Sequence, residues 1–204
     1  MTIRVHRHDL PDLSHYPGSV AIDTETMGLN PHRDRLCLVQ LSPGDGSADI
    51  VQIDASPRPA PNLLALLADR TRPKIFHFAR FDMALLFHTF GVMAAPVFCT
   101  KIASRLTRTY TDRHSLKDLT REFLDIELSK QQQSSDWGAA TLSSAQLDYA
   151  ASDVLHLHRI RDELAARLDR DGRTELAAAC FGFLDTRVRL DLAGWADEDI
   201  FAHS

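Results

Sequence analysis

Hydrophobic and polar positions change rhythm along this chain, from short apolar runs in its first half to helical spacing in its second. Residues 20–23 (Val-Ala-Ile-Asp), 36–41 and 50–53 (Ile-Val-Gln-Ile) have the length and composition of strands. Pro43-Gly44-Asp45-Gly46 separates the last two and suits a hairpin turn, so those strands are expected to run antiparallel. A proline-rich loop over 56–61 precedes an apolar helix over 62–68, and 74–78 reads as a fourth strand that feeds a helix through Met83 and Leu86. From about Thr100 the pattern predicts mostly helix. Its clearest helix begins at Ser143, where Ser143 and Gln146 have the S-x-x-Q spacing of a capping box. Leu147, Ala150, Val154, Leu157, Leu164 and Leu168 follow at helical intervals, and a last apolar segment runs over 176–184. Strands, then strand–helix alternation, then helices predict an α/β domain with a mixed sheet between helical layers.

The chain has 204 residues, a length that suits one domain. We expect a core over about 18–168 and a helical C-terminal segment over about 172–195. No apolar run approaches the roughly 18–20 residues of a membrane span, and the polar start lacks a secretory core. Cys37, Cys99 and Cys180 are odd in number and scattered through apolar segments, so they read as reduced core residues. These features predict a cytoplasmic protein without membrane contact. A net charge of −5 argues against a protein that coats duplexes and leaves room for a local basic groove.

Three acidic features change the picture. Asp23 and Glu25 end the first core strand two residues apart, so they share a face while Thr24 points opposite. Two acids side by side at a buried strand end repel unless a cation lies between them. Asp82 follows the strand-to-helix passage His77-Phe78-Ala79-Arg80-Phe81, where α/β sheets present functional groups; a helix cap is the ordinary alternative. Tyr149 and Asp153 stand one turn apart on the capped helix, away from its apolar stripe.

In that order, strand D-x-E, F-D and helical Y-x-x-x-D resemble the DEDD superfamily of 3′-5′ exonucleases, in the tyrosine-bearing branch that includes ribonuclease D. Lys130-Gln131-Gln132-Gln133-Ser134-Ser135-Asp136-Trp137, followed by Gln146-Leu147-Asp148-Tyr149-Ala150, is similar to a further run of ribonuclease D relatives. The resemblance covers residues 20 to about 162 and implies a ribonuclease H-like fold. The sequence stops before the C-terminal helical domains with which ribonuclease D holds structured RNA. With Asp23-Thr24-Glu25-Thr26-Met27-Gly28-Leu29-Asn30 it looks most like the nanoRNase C family of alphaproteobacterial oligoribonucleases. That resemblance implies short single-stranded RNA as substrate, notably diribonucleotides, and a ring-shaped octamer.

It also implies catalysis by Asp23, Glu25, Asp82, Tyr149 and Asp153 with two divalent cations, Mg2+ or Mn2+, roughly 3.5–4 Å apart. Carboxylate oxygens are the ligands such ions prefer. Asp23 is the expected bridge, Glu25 and Asp153 hold the water-activating ion, and Asp82 serves the other largely through water. Tyr149, with a phenol pKa near 10, is cast as a water orienter.

Substrate-binding candidates are Leu29 (a wedge, or an anchor of its own turn), His77 (a nucleotide contact, or a structural strand histidine), Lys130 and Gln133. Arg108 and Tyr110, within the basic segment 105–117, are candidates for phosphate and base, or members of a solvated face. Trp137 reads as packing. The apolar stretch 177–184 suggests a subunit contact, or a helix buried within one chain. Competing functions are an exonuclease acting on DNA or on longer structured RNA, and a non-catalytic nucleic-acid-binding module. The module is disfavoured because all four acids remain. A D-x-D-x-T phosphatase is disfavoured by Glu25 and by the unexplained tyrosine helix.

Overall fold

A computed structural model describes every residue of the chain except Pro57, Lys130 and Ser204. Six strands form one mixed sheet: β1 (Thr2–Arg7), β2 (Val20–Thr26), β3 (Leu36–Ser42), β4 (Ser47–Gln52), β5 (Lys74–Phe76) and β6 (Val97–Cys99), in the order β1-β4-β3-β2-β5-β6. β3 lies antiparallel between β2 and β4, with the predicted turn between β3 and β4. The pairs β1–β4, β2–β5 and β5–β6 are parallel. Two of these strands escape a reading of apolar runs. β1 alternates Ile3 and Val5 with Arg4 and His6, and its polar side is anchored on buried Asp49, which accepts from Arg4 Nε at 2.7 Å. β6 is only three residues long and gains its identity from pairing with β5.

Side-chain alternation divides the sheet into two cores. Ile22, Val39, Leu41 and Val51 point one way, into a cluster with α1 (Pro61–Ala68), α2 (Ala79–Phe90) and, through Leu184 and Val188, α7 (Thr174–Leu190). Ala21, Leu38, Ile50 and Ile75 point the other way, under α5 (Ser144–Leu155), whose Ala150 and Ala151 let its backbone lie close to the strands. The apolar stripe that begins at Ser143 does not form one helix. It breaks at His156 into α5 and α6 (Leu157–Arg170), so that one stripe serves two partners. α5 covers the sheet, whereas Ile160, Leu164 and Leu168 pack with Ala103 of α3 (Thr100–Thr107) and Leu119 of α4 (Leu116–Leu124). The region after Thr100 is mostly helical, as its pattern predicts, although the described residues of 108–115 and 125–143 contain no α-helix. A π-helical turn, Asp191–Trp195, follows α7.

The predicted capping box is present. Gln146 N donates to Ser143 Oγ at 3.2 Å and Ser143 N donates to Gln146 Oε1 at 3.0 Å. The same Gln146 side chain also donates through Nε2 to the backbone oxygen of Asp136 at 3.1 Å, which ties the start of α5 to the preceding loop. All three cysteines are free, with Cys37 and Cys99 buried. Among the described residues, no helix is long and apolar enough to cross a membrane.

Candidate active site

The alternation of β2 sorts the motif residues onto two faces. Asp23 and Glu25 point toward α5, where Tyr149 and Asp153 stand one turn apart on the helix edge that lines the groove. Carboxylate oxygens of Asp23, Glu25 and Asp153 come within 4.8 Å of one another. Thr24 points the opposite way, toward α2, and its Oγ1 donates to Asp82 Oδ1 at 2.6 Å. Asp82 is buried in the first turn of α2 and does not cap it, because Phe78 holds the cap position without a side-chain bond. The strand thus grips acids from both helical layers.

Four acids this close and this dry resist ionisation. Burial, then Asp82, Asp153 and Glu25, push the Asp23 carboxyl well above the usual range. Glu25 rises to about 9 through burial and then repulsion from Asp153 and Asp82. Asp82 rises to about 7 through burial, against the pull of the Thr24 hydroxyl. Asp153 also rises to about 7 through burial, against its hydrogen bond from Tyr149. The Tyr149 phenol is itself pushed up by burial and then by the carboxylates around it, so it keeps its proton. An all-oxygen nest whose members cannot share their charge fits a hard divalent cation, which reverses each of these repulsions.

The nest opens into a groove of about 710 Å³ whose lining includes Leu29, His77, Gln133, Tyr149 and Trp137. Leu29 is 82% exposed, the disposition of a side chain with little packing of its own to protect. His77 Nδ1 lies 2.9 Å from Thr100 Oγ1, and that hydroxyl donates to Phe76 O at 3.1 Å. The ring also has a hydrogen bond to the backbone of His114, so both Thr100 and that loop hold its orientation. Burial pushes this imidazole down to about 3, which keeps it neutral. Trp137 is buried, as a packing role requires, with its ring 5.9 Å from that of Tyr149.

Two expected substrate contacts lie elsewhere. Arg108 and Tyr110 line a separate hollow. Arg108 is 1% exposed, and its guanidinium is consumed by Glu122, the Arg113 carbonyl and Ser104 Oγ, so its fork is not free for phosphate. The Tyr110 hydroxyl also donates to Glu122, at 2.8 Å. Lys130 lies outside the described residues.

The groove contains side chains that the motifs did not single out. Phe78 sits at φ 69°, a left-handed conformation for a bulky residue, with the Lys101 ammonium 4.4 Å over its ring. The unread strand β6 is what brings Lys101 here, at the start of α3. Lys117, read only as part of a basic segment, lines the groove and pairs with Glu127 at 3.2 Å. Thr24 was legible only as the residue that faces away.

The sequence pattern of the 3′-5′ exonuclease family matches residues 10–169. The chain belongs to this 3′-5′ exonuclease family. Ribonuclease D of Gluconacetobacter diazotrophicus is 35% identical over 165 residues, which cover 78% of this chain and 40% of that protein. The chain therefore spans about two fifths of the length of the ribonuclease D relatives it matches. Among solved structures, NrnC of Brucella melitensis is 65% identical with bound Mg2+ (TM-score 0.96) and 66% identical bound to pGG (TM-score 0.97). In both, 100% of each chain is covered. Ribonuclease D of Escherichia coli, 23% identical, shares the fold with a TM-score of 0.77 over 89% of this chain and 48% of its own. This exonuclease chain thus has the α/β architecture, helical C-terminal part and ribonuclease D-like kinship that its motifs imply.

Proposed function

We propose that the chain is a divalent-metal-dependent 3′-5′ exoribonuclease that hydrolyses short oligoribonucleotides, with diribonucleotides preferred, to nucleoside 5′-monophosphates. The observation that carries this reading is the convergence of Asp23, Glu25 and Asp153 within 4.8 Å, with Asp82 beside them. Those four carboxylates would hold two ions, Mg2+ or Mn2+, with Asp23 shared between them. Such ions, when bound, lower the pKa of water and neutralise charge that builds on phosphoryl and leaving oxygens.

The side chains of the chain supply orientation. The Tyr149 phenol, which keeps its proton and stands one turn from Asp153, is placed to hydrogen-bond the attacking water and aim it at phosphorus. The water oxygen bonds phosphorus, the bond to O3′ breaks, and the departing O3′ takes up a proton. Leu29, exposed at the groove rim, is suited to separate two terminal bases. His77 offers a neutral imidazole, Gln133 a hydrogen-bonding amide, and Lys130 a cation from the same motif.

Two observations favour short substrates. The Brucella melitensis relative has been solved with pGG, by its name a 5′-phosphorylated pair of guanosines. A net charge of −5 also repels long polyanions outside the groove, whereas a dinucleotide inside it feels mainly the local field. We place the chain in the cytoplasm as one functional domain and expect a homo-oligomer, an octamer by family resemblance. Leu176 and Phe183 on α7 are 55% and 40% exposed, which suits a subunit contact. Sedimentation that shows only monomer would reject the assembly.

The deciding assay compares hydrolysis of di-, penta- and twenty-nucleotide RNA and DNA, with Mg2+ and with EDTA. Fast release of monophosphates from the diribonucleotide, silenced by EDTA, supports the reading. Equal or faster turnover of long DNA or structured RNA tails selects the alternative exonuclease, and absence of hydrolysis with retained binding selects the non-catalytic module.

A further inference from the structure

Behind the carboxylate nest lies an amide with nothing to bond. Gln40, in the middle of β3, is 0% exposed, and neither its Nε2 nor its Oε1 has a hydrogen-bond partner among the described residues. Other buried unpaired atoms belong to groups bonded elsewhere: His158 reaches Ser19 O through Nε2, and Arg187 reaches Trp195 O through Nη2. Trp137 has a single N–H to satisfy. Among the described residues, Gln40 alone is unsatisfied at both ends of its side chain. Its neighbours on this face include apolar Leu38 two positions along β3 and Ile50 directly across on β4. A dry amide persists in such a place only where something supplies it with partners.

The strand register identifies that partner. Gln40 stands directly opposite Asp23 in the antiparallel β2–β3 pair. Opposed residues share a face and bring their Cβ atoms to roughly 4.5–5.5 Å. Its diagonal neighbours on β2 are Ala21 and Glu25, and its partner on β4 is Ile50. Asp23 is therefore the polar side chain directly opposite in register, with Glu25 on β2 and Gln52 on β4 on the diagonals. An ionised carboxylate has about four lone-pair sites and accepts more strongly than a protonated one, so room remains for a donor behind a cation-bearing Asp23.

We propose that Gln40 is a positioning residue whose Nε2 donates to the Asp23 carboxylate and fixes the oxygen that faces the divalent cation. This rests on the reading of the site as a metal-dependent nuclease. Ligating carboxylates elsewhere depend on such outer hydrogen bonds for orientation, and their loss typically weakens metal binding 10–100-fold.

The test uses the full-length protein and its Gln40→Met and Gln40→Asn variants. It reads Mn2+ affinity by titration calorimetry, kcat and KM on a diribonucleotide, and Tm in EDTA. Met keeps the length of the side chain and removes both orphan groups, so Tm should hold or rise. Mn2+ affinity should fall about 10–100-fold, with kcat reduced and KM little changed. Asn, one methylene short, should weaken Mn2+ binding in the same direction and does not depend on the Met variant folding. Wild-type Mn2+ affinity and kcat in either folded variant, or a loss confined to Tm, overturns the proposal. If wild type itself shows no metal-dependent hydrolysis, the nuclease reading fails. If Asp153→Ala silences the enzyme while both Gln40 variants match wild type, only the role of Gln40 fails.

Discussion

Thr24 Oγ1 donates to Asp82 Oδ1 across 2.6 Å, and this single bond joins a carboxylate on one helical layer to a strand whose other face carries Asp23 and Glu25. Period-two alternation makes the arrangement possible, because the residue between two acids must face away from them. Thr24→Val keeps the branched shape and removes the donor. Turnover should fall about tenfold or more, with a matching rise in the Mg2+ concentration needed for half-maximal rate. Steady-state kinetics against Mg2+ concentration check this; an unchanged Mg2+ dependence would show that Asp82 needs no help from Thr24.

The repelling acids give the metal-free protein an unusual pH profile. Below about pH 4 these carboxyls are protonated whether the chain is folded or not. Above it the unfolded chain ionises first, so stability falls until the folded values are passed, about 7 for Asp82 and Asp153 and about 9 for Glu25. Asp49, held down to about 2 by Arg4, Tyr16 and His6 against its burial, has the opposite sign and matters only below about pH 4. Tm measured in EDTA should therefore carry a decline from the cluster between about pH 4 and 9, and Mg2+ should raise Tm most at the alkaline end. Equal Mg2+ stabilisation at pH 5 and pH 8 would contradict this.

Tyr149→Phe removes only the hydroxyl. Turnover should drop by roughly 10²–10⁴-fold, the usual range for a group that handles water at the reacting centre. Mn2+ affinity, measured separately, should stay close to wild type. A variant with normal rates would remove the tyrosine from the chemistry.

Arg108 belongs to the architecture, so its loss should register in stability. Glu122→Ala withdraws the carboxylate from a buried guanidinium and from Tyr110, at a cost of about 2 kcal/mol, while the activity of the folded fraction on diribonucleotides is retained. Chemical denaturation beside kinetics separates the two effects. A raised KM at unchanged stability would return Arg108 to the substrate site.

The sequence was most legible where local chemistry dictates geometry. D-x-E on a strand, the Ser143–Gln146 box and the four-residue step from Tyr149 to Asp153 each place their side chains by backbone period alone. Arg108 was illegible for the complementary reason. Glu122, its partner, lies fourteen positions away on another helix, and a run of basic residues carries no information on which of them turns inward. β1 was hidden because its polar positions, Arg4 and His6, face buried Asp49 instead of water, which spoils the usual equation of polar with outside. The break at His156 left no mark, since the apolar stripe continues through it.

Gln146 joins the cap of α5 to the main-chain oxygen of Asp136, so the stretch that carries Gln133 and Trp137 is tethered to the helix of Tyr149 and Asp153. Whatever pushes on that stretch also pulls on the first turn of the helix. One hydrogen bond therefore makes the placement of that groove wall and the placement of Tyr149 and Asp153 a single structural variable.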